Sequence, residues 1–222
     1  MNIVFDLDGT LIDSAPDIQA VAEVILAQLG KPPLTLEETR SFVGEGAKVL
    51  VSRIMASRGI EETVESHAKI YADFVAEYEF AVDRAVFYPG VIDALAVLKG
   101  AGHRIGLCTN KPIVPTRAVL RHMKLEPVFD AVVSAGTVAS RKPDPEMAFR
   151  CIADLGGGPS LFVGDSGTDS ETAANAKLPF ALYTEGYRKS PVSEIPHRWA
   201  FDHFDQLAGI VAEAQAEQTA AQ

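Results

Sequence analysis

Asp6 and Asp8 stand one residue apart at the end of the apolar run Asn2–Phe5. On an extended chain alternate residues face the same way, so the two carboxylates would share a side. Anions that close repel unless a proton or a cation lies between them. Gly9 lets the backbone turn sharply and approach a ligand. Thr10 adds a hydroxyl and a backbone N–H. Asp-Gly flanked by apolar residues is also a hairpin signal, and this stretch alone leaves the two readings level. The following Ser14-Ala15-Pro16-Asp17 reads as an N-cap, a proline in the first turn and an early acidic residue, which opens a helix instead. The aspartates then sit at the carboxyl end of a strand, where open α/β sheets bind ligands.

Three further polar clusters fall at strand ends. Thr109-Asn110 offers a hydroxyl and an amide to phosphate oxygens; taken singly it is a plain N-cap. Lys142, in Arg141-Lys142-Pro143-Asp144-Pro145, is a point charge on a long stem that suits a phosphoryl group; taken singly it is a solvated surface lysine. Gly164-Asp165-Ser166-Gly167-Thr168-Asp169 places Asp165 just past an apolar strand, with Asp169 expected to begin the next helix. An N-cap with a turn is the plain alternative there, while a calcium loop fails on its glycine and final glutamate spacing. Together, acidic positions, a lysine and a hydroxyl at successive strand ends point to Mg²⁺-dependent phosphoryl transfer. Magnesium favours carboxylate oxygens, water and substrate phosphate, and a metal relieves the repulsion among Asp6, Asp8 and Asp165.

The elements that must position these groups follow from periodicity. Residues 14–80 read as helices with no strand signal. Ile18, Val21, Ala22, Ile25, Leu26 and Leu29 form an amphipathic stripe ending at Gly30. Thr35-Leu36-Glu37-Glu38 is a capping box, and Val43-Gly44-Glu45-Gly46 is a glycine-rich turn. A helix follows it to about Gly59, and a longer one covers Glu62–Tyr78. Beyond Tyr88-Pro89-Gly90, strands at His103–Cys108, Ala131–Ser134, Leu161–Val163 and Phe180–Tyr183 alternate with helices, which implies a parallel sheet. The tail from about Ala214 is expected to fray. One strand, then helices, then resumed alternation implies an α/β core over 1–14 and 82–222, interrupted by a helical insertion over 15–81. An insertion there overhangs the ligand crevice as a water-excluding lid.

Composition narrows the partners. The 222 residues are 47% hydrophobic, enough for a substantial core, and the formal net charge is −10. That charge argues against nucleic acid or an anionic membrane as a partner and requires local cations for an anionic substrate. No run approaches a membrane span. Acidic Asp6 and Asp8 speak against a secretory leader. Cys108 and Cys151 match no metal or redox spacing, which with the rest fits a reducing cytoplasm. Monomer and homodimer both remain open.

These residues carry a resemblance. Asp-x-Asp-Gly-Thr-Leu at Asp6–Leu11, Thr109-Asn110, Lys142-Pro143 and Gly-Asp-Ser-x-x-Asp at Gly164–Asp169 stand in the order of the haloacid dehalogenase superfamily, in its phosphatase branch. The resemblance implies a Rossmann-like core with a helical cap inserted after the first strand. It implies Asp6 as the nucleophile that forms an aspartyl-phosphate, and Asp8 as general acid and base. Thr109 and Lys142 would hold the phosphoryl oxygens, with Gly9, Thr10 and Asn110 also on the substrate. Mg²⁺ would be held by Asp6, the Asp8 carbonyl and Asp165, with Ser166 and Asp169 behind them. A narrower likeness is to bacterial phosphoglycolate phosphatases, through Phe42–Ala47 with Leu50 and Arg53, Tyr88–Val91, Thr109–Pro112, Lys142–Met147 and Gly186-Tyr187. Their substrate carries a carboxylate as well as a phosphate, so a cap cation is expected. Lys48, Arg53 and Arg40 are the candidates, each singly a solvated or helix-pairing charge. Pyrophosphate, a nucleotide or a sugar phosphate are alternative substrates, and a β-phosphoglucomutase-like phosphotransferase would share the core. Asp8 argues against a dehalogenase. The presence of Asp6, Asp8 and Lys142 argues against a non-catalytic binding module.

Overall fold

A computed structural model describes residues 1–220. Its main sheet has six parallel strands: β1 (Asn2–Phe5), β4 (Arg104–Pro112), β5 (Ala131–Ala135), β6 (Ser160–Gly164), β7 (Phe180–Tyr183) and β8 (Trp199–Phe201). They lie in the order β5-β4-β1-β6-β7-β8. The chain thus winds outward from β1 in both directions, and the crevice of such a sheet opens at that reversal. Phe5 pairs with Leu107 on one side and Val163 on the other. That register brings the carboxyl ends of β1, β4 and β6 level.

The period of two assigns the faces. Ile3 and Phe5 pack in one apolar cluster and Val4 in another. Helices α5 (Val91–Gly100), α6 (Ile113–His122) and α9 (Leu207–Ala220) contribute Leu95, Val119 and Ile210 to the first. Helices α7 (Glu146–Asp154) and α8 (Gly167–Asn175) contribute Met147 and Ala173 to the second. With both faces covered, the strands read as apolar runs rather than alternating ones.

Residues 15–81 hold α1 (Ala15–Gln28), α2 (Leu36–Phe42), α3 (Ala47–Ser57) and α4 (Val64–Tyr78). Their stripes, among them Ile25, Leu50, Ile54 and Phe74, bury against one another as a separate cluster. The segment is entered and left through a small antiparallel pair, β2 (Ile12–Asp13) with β3 (Val86–Phe87). The turn at Gly9 is therefore not a hairpin of β1. Leu11 N and Ile12 N both donate to Leu7 O, at 2.9 and 3.2 Å, which coils the chain before β2.

Three sequence expectations are corrected here. Gly167, not Asp169, begins α8, because Ser166 caps it and Asp169 closes the capping box from the third helical position. The strand expected to end at Cys108 runs on to Pro112, which makes Lys111 part of the sheet's end. The tail does not fray at Ala214: α9 buries Leu207, Ile210, Val211 and Ala214, and Gln218 Nε2 donates to Ser160 O at 3.0 Å. Residues 221–222 of that tail lie outside the described ones.

Candidate active site

Asp6 leaves β1, Thr109 sits near the end of β4, and Asp165 directly follows β6. Adjacent strands in register bring the three together. Lys142 arrives from the loop after β5. Asn110 holds that loop, accepting from Lys142 N at 3.0 Å and donating to Lys142 O at 3.0 Å. The turn after β1 closes against Asp165: Thr10 Oγ1 donates to Asp165 Oδ1 at 2.7 Å, and Tyr187 N donates to Oδ2 at 2.6 Å. Gly9 has φ +90°, and a Cβ there would stand 2.5 Å from Asp165 Oδ2, so only glycine fits.

Oxygens of Asp6, Asp165 and Asp169 lie within 4.8 Å of one another, and all three residues are buried. Lys142 is their counter-charge. Its Nζ donates to Asp169 Oδ1 at 2.6 Å and contacts Asp6 Oδ1 at 2.9 Å. The Asp6 contact lacks hydrogen-bond alignment, so that buried oxygen has no hydrogen-bond partner. Burial pushes the Asp6 carboxyl up to about 7; Lys142 opposes this and Asp169 reinforces it. Burial also drives Asp165 well above the carboxylate range, with Asp169 and Asp6 adding to the effect. Burial disfavours the Lys142 ammonium, yet Asp169 and Asp6 outweigh it and raise its pKa.

One lysine cannot balance three buried carboxylates. An Asp6 oxygen that is ion-paired to Lys142 but accepts no aligned hydrogen bond, beside Asp165 in an all-oxygen donor set, fits a hard divalent cation. Asp169 is committed to Lys142 and to Ser166, whose Oγ donates to Asp169 Oδ2 at 2.6 Å. Asp169 Oδ2 accepts two bonds from Ser166, whereas each Asp165 oxygen accepts only one and keeps a lone pair, so Asp6 and Asp165 have the most acceptor capacity left for an ion.

Asp8 faces a cavity between the sheet and the helical segment, lined by Asp6, Thr109, Asn110 and Lys111 on one side and Val43, Ala47, Leu50 and Tyr78 on the other. A second cavity of about 190 Å³ adjoins it at Asp6 and Asp8 and reaches Asp165, Ser166 and Lys189. Asp8 Oδ1 accepts from Ser14 Oγ at 2.5 Å and from Lys111 Nζ at 3.1 Å. Ser14 thus spends its hydroxyl on Asp8 and not on capping α1.

The structure gathers Asp6, Asp8, Gly9, Thr10, Thr109, Asn110, Lys142, Asp165, Ser166 and Asp169 around these cavities. It does not bring the expected cap cations there. Arg53 donates to Phe42 O at 2.9 Å and is paired with Glu45. Lys48 Nζ sits 5.7 Å over the Tyr71 ring, on a neighbouring cavity with Arg141. Arg40 pairs with Asp13 at 2.7 Å. Arg53 and Arg40 are thus paired with nearby carboxylates, and Lys48 lies against an aromatic ring away from Asp8. Lys111 is the residue the sequence reading missed: a strand taken to stop at Cys108 left it in a loop, and its signal was an apolar strand running unbroken into Thr109–Pro112.

Fold and site define a doubly wound α/β hydrolase with carboxylates, a hydroxyl and a lysine at the switch point of its sheet. The chain belongs to the haloacid dehalogenase-like hydrolases, whose family profile matches residues 3–183, and it is a phosphoric monoester hydrolase. A phosphoglycolate phosphatase of Rhodobacter capsulatus is 44% identical over 209 residues, spanning 94% of this chain and 95% of the relative. One of Cereibacter sphaeroides is 43% identical over 212 residues, spanning 94% and 96%. A crystal structure from Haemophilus somnus, described as a predicted phosphoglycolate phosphatase, superposes with a TM-score of 0.88 at 27% identity, covering 95% of this chain and 97% of that one.

Proposed function

We propose that the chain hydrolyses 2-phosphoglycolate to glycolate and phosphate through an Asp6 aspartyl-phosphate, with Mg²⁺ as the resident cation. The observation that carries this is the buried Asp6 oxygen, paired with Lys142 yet accepting no aligned hydrogen bond, beside Asp8 and Asp165. An Asp6 oxygen attacks phosphorus and the ester bond breaks. Asp8 gives a proton to the departing glycolate oxygen, then takes one from the water that cleaves the acyl phosphate. Thr109 and Lys142 hold the transferring oxygens, and Lys142 offsets charge that builds on them. Asp6, the Asp8 carbonyl and Asp165 would hold Mg²⁺, which supplies positive charge to the phosphoryl group. Thr10 and Tyr187 orient Asp165, while Ser166 fixes Asp169 against Lys142. Residues 15–81 act as a cap over a core of 1–14 and 82–222 and exclude water from the crevice.

The relatives named above support the substrate, and the all-oxygen carboxylate set supports the cation. Purified protein with Mg²⁺ should release phosphate from 2-phosphoglycolate with a higher kcat/KM than from pyrophosphate, nucleotides or hexose phosphates. Asp6→Asn should release none. Normal turnover by that variant removes the mechanism; preference for another ester removes only the substrate.

A further inference from the structure

Lys111 has no part in the chemistry just described, yet among the described residues it is the one cationic side chain lining the cavity between sheet and helices. It is 5% exposed. Its ammonium donates to Asp8 Oδ1 at 3.1 Å and to the Tyr78 hydroxyl, and lies 3.9 Å from the Tyr78 ring centroid. An ammonium has three donors, and these partners take two.

Of the polar groups beside it, Thr109 is assigned above to the phosphoryl oxygens, and Asn110 and Lys142 are engaged elsewhere. Asn110 Nδ2 donates to Lys142 O at 3.0 Å and to Gly44 O at 3.3 Å. Lys142 is held between Asp6 and Asp169. On the facing wall Ile18, Val43, Ala47 and Leu50 present apolar side chains, and the Tyr78 hydroxyl is taken by Lys111. Covalent geometry then decides the matter. In 2-phosphoglycolate one methylene separates the leaving oxygen from the carboxyl carbon. The group that binds the carboxylate must therefore adjoin the group that protonates the oxygen. Lys111 touches Asp8; Lys48, Arg53 and Arg40 do not.

We propose that Lys111 binds the substrate's carboxylate and is the specificity-determining residue that selects an acid-bearing phosphoester over an uncharged alkyl phosphate. The inference rests on the 2-phosphoglycolate reading of the site. Lys189 is the rival: it lines the adjoining cavity, but it is 40% exposed along its side chain and paired with Glu45 at 3.1 Å.

The test is the ratio of kcat/KM for 2-phosphoglycolate over ethyl phosphate, with Mg²⁺, in wild type, Lys111→Met, Lys111→Arg and Lys189→Gln, each checked by thermal melting. Losing a charge-assisted hydrogen bond should lower the ratio by roughly 10- to 100-fold in Lys111→Met, mostly through KM, with partial recovery in Lys111→Arg. An unchanged ratio, an equal loss on both esters, or the selective loss appearing in Lys189→Gln instead overturns the proposal. Should Lys111→Met fail to fold, a wild-type crystal with phosphonoacetate decides. Its carboxylate within hydrogen-bond reach of Lys111 Nζ supports the assignment, and a carboxylate turned elsewhere overturns it. A wild type that hydrolyses neither ester ends the parent reading, and this one with it.

Discussion

Asp6 and Asp165 both favour the protonated form when no cation other than Lys142 balances them. The direction fixes a pH dependence. A carboxyl raised from 3.8 to about 7 in the folded protein binds more protons there than in the unfolded chain across that interval. Stability of the metal-stripped protein should therefore fall as pH rises through that window. Mg²⁺ binds the ionised form, so its stabilisation should grow over the same range. Thermal melts in EDTA and in Mg²⁺ at pH 5.5 and 7.5 check this, the expected result being a larger Mg²⁺ shift at the higher pH. Removing the lysine acts in the same place. Lys142→Met strips the counter-charge from Asp6 and Asp169, and breaking a buried pair costs about 3–5 kcal/mol. Phosphate release should fall by about 10²–10³. At this scale the sequence was most legible, because Asp6 and Asp165 each follow an apolar strand and Lys142 lies in the loop after a third. The cap cations were not, because a surface arginine's partner depends on tertiary neighbours: Glu45 for Arg53 and Asp13 for Arg40.

At the scale of elements, one device appears twice with different consequences. Thr35 caps α2 and Ser166 caps α8, each through a reciprocal box. Thr35 Oγ1 accepts from Glu38 N at 3.1 Å, away from the crevice. Glu38 is held near a pKa of 2, first by Arg58 and then by the Thr35 backbone. Ser166 instead grips Asp169, the residue that holds Lys142. Replacing either cap by alanine should cost about 1 kcal/mol of stability. Thr35→Ala should leave kcat/KM at the wild-type value, whereas Ser166→Ala should lower it, because Asp169 Oδ2 then keeps only the 3.1 Å bond from the residue 166 backbone N–H. Equal activities in the two variants would show that Asp169 is held without Ser166. Helices α1, α3 and α4 were readable from their stripes, whereas α9, in a tail expected to fray, was not. β8 was not, since Trp199–Phe201 is three residues long and too short to show a period of two. The pair β2–β3 has two residues per strand and exists because it lies beside the turn after β1.

For the molecule as a whole, the helical segment joins the sheet at two neighbouring crossings, and Asp17 ties them. It is 3% exposed in the first turn of α1. Its two carboxylate oxygens accept from Arg84 N and Ala85 N, each at 2.9 Å, on the returning chain. A helix-start acid in the sequence is thus a clasp between chain segments that are 67 and 68 residues apart. Across the crevice the segments meet again through Glu45 and Lys189, both near 40% exposed, where solvent screening leaves an ion pair little strength. The clasp at Asp17 should therefore govern how firmly the helices are seated. Asp17→Ala leaves two backbone donors without their acceptor, at about 1–3 kcal/mol. Asp17→Asn keeps one carbonyl oxygen and should fall between alanine and wild type. Limited proteolysis of the folded protein reads the effect directly. Cleavage between Ala81 and Phe87 should accelerate in Asp17→Ala and less in Asp17→Asn, while sites in α7 and α8 stay protected. Uniform acceleration across the chain would mean that Asp17 contributes to global stability and not to the junction.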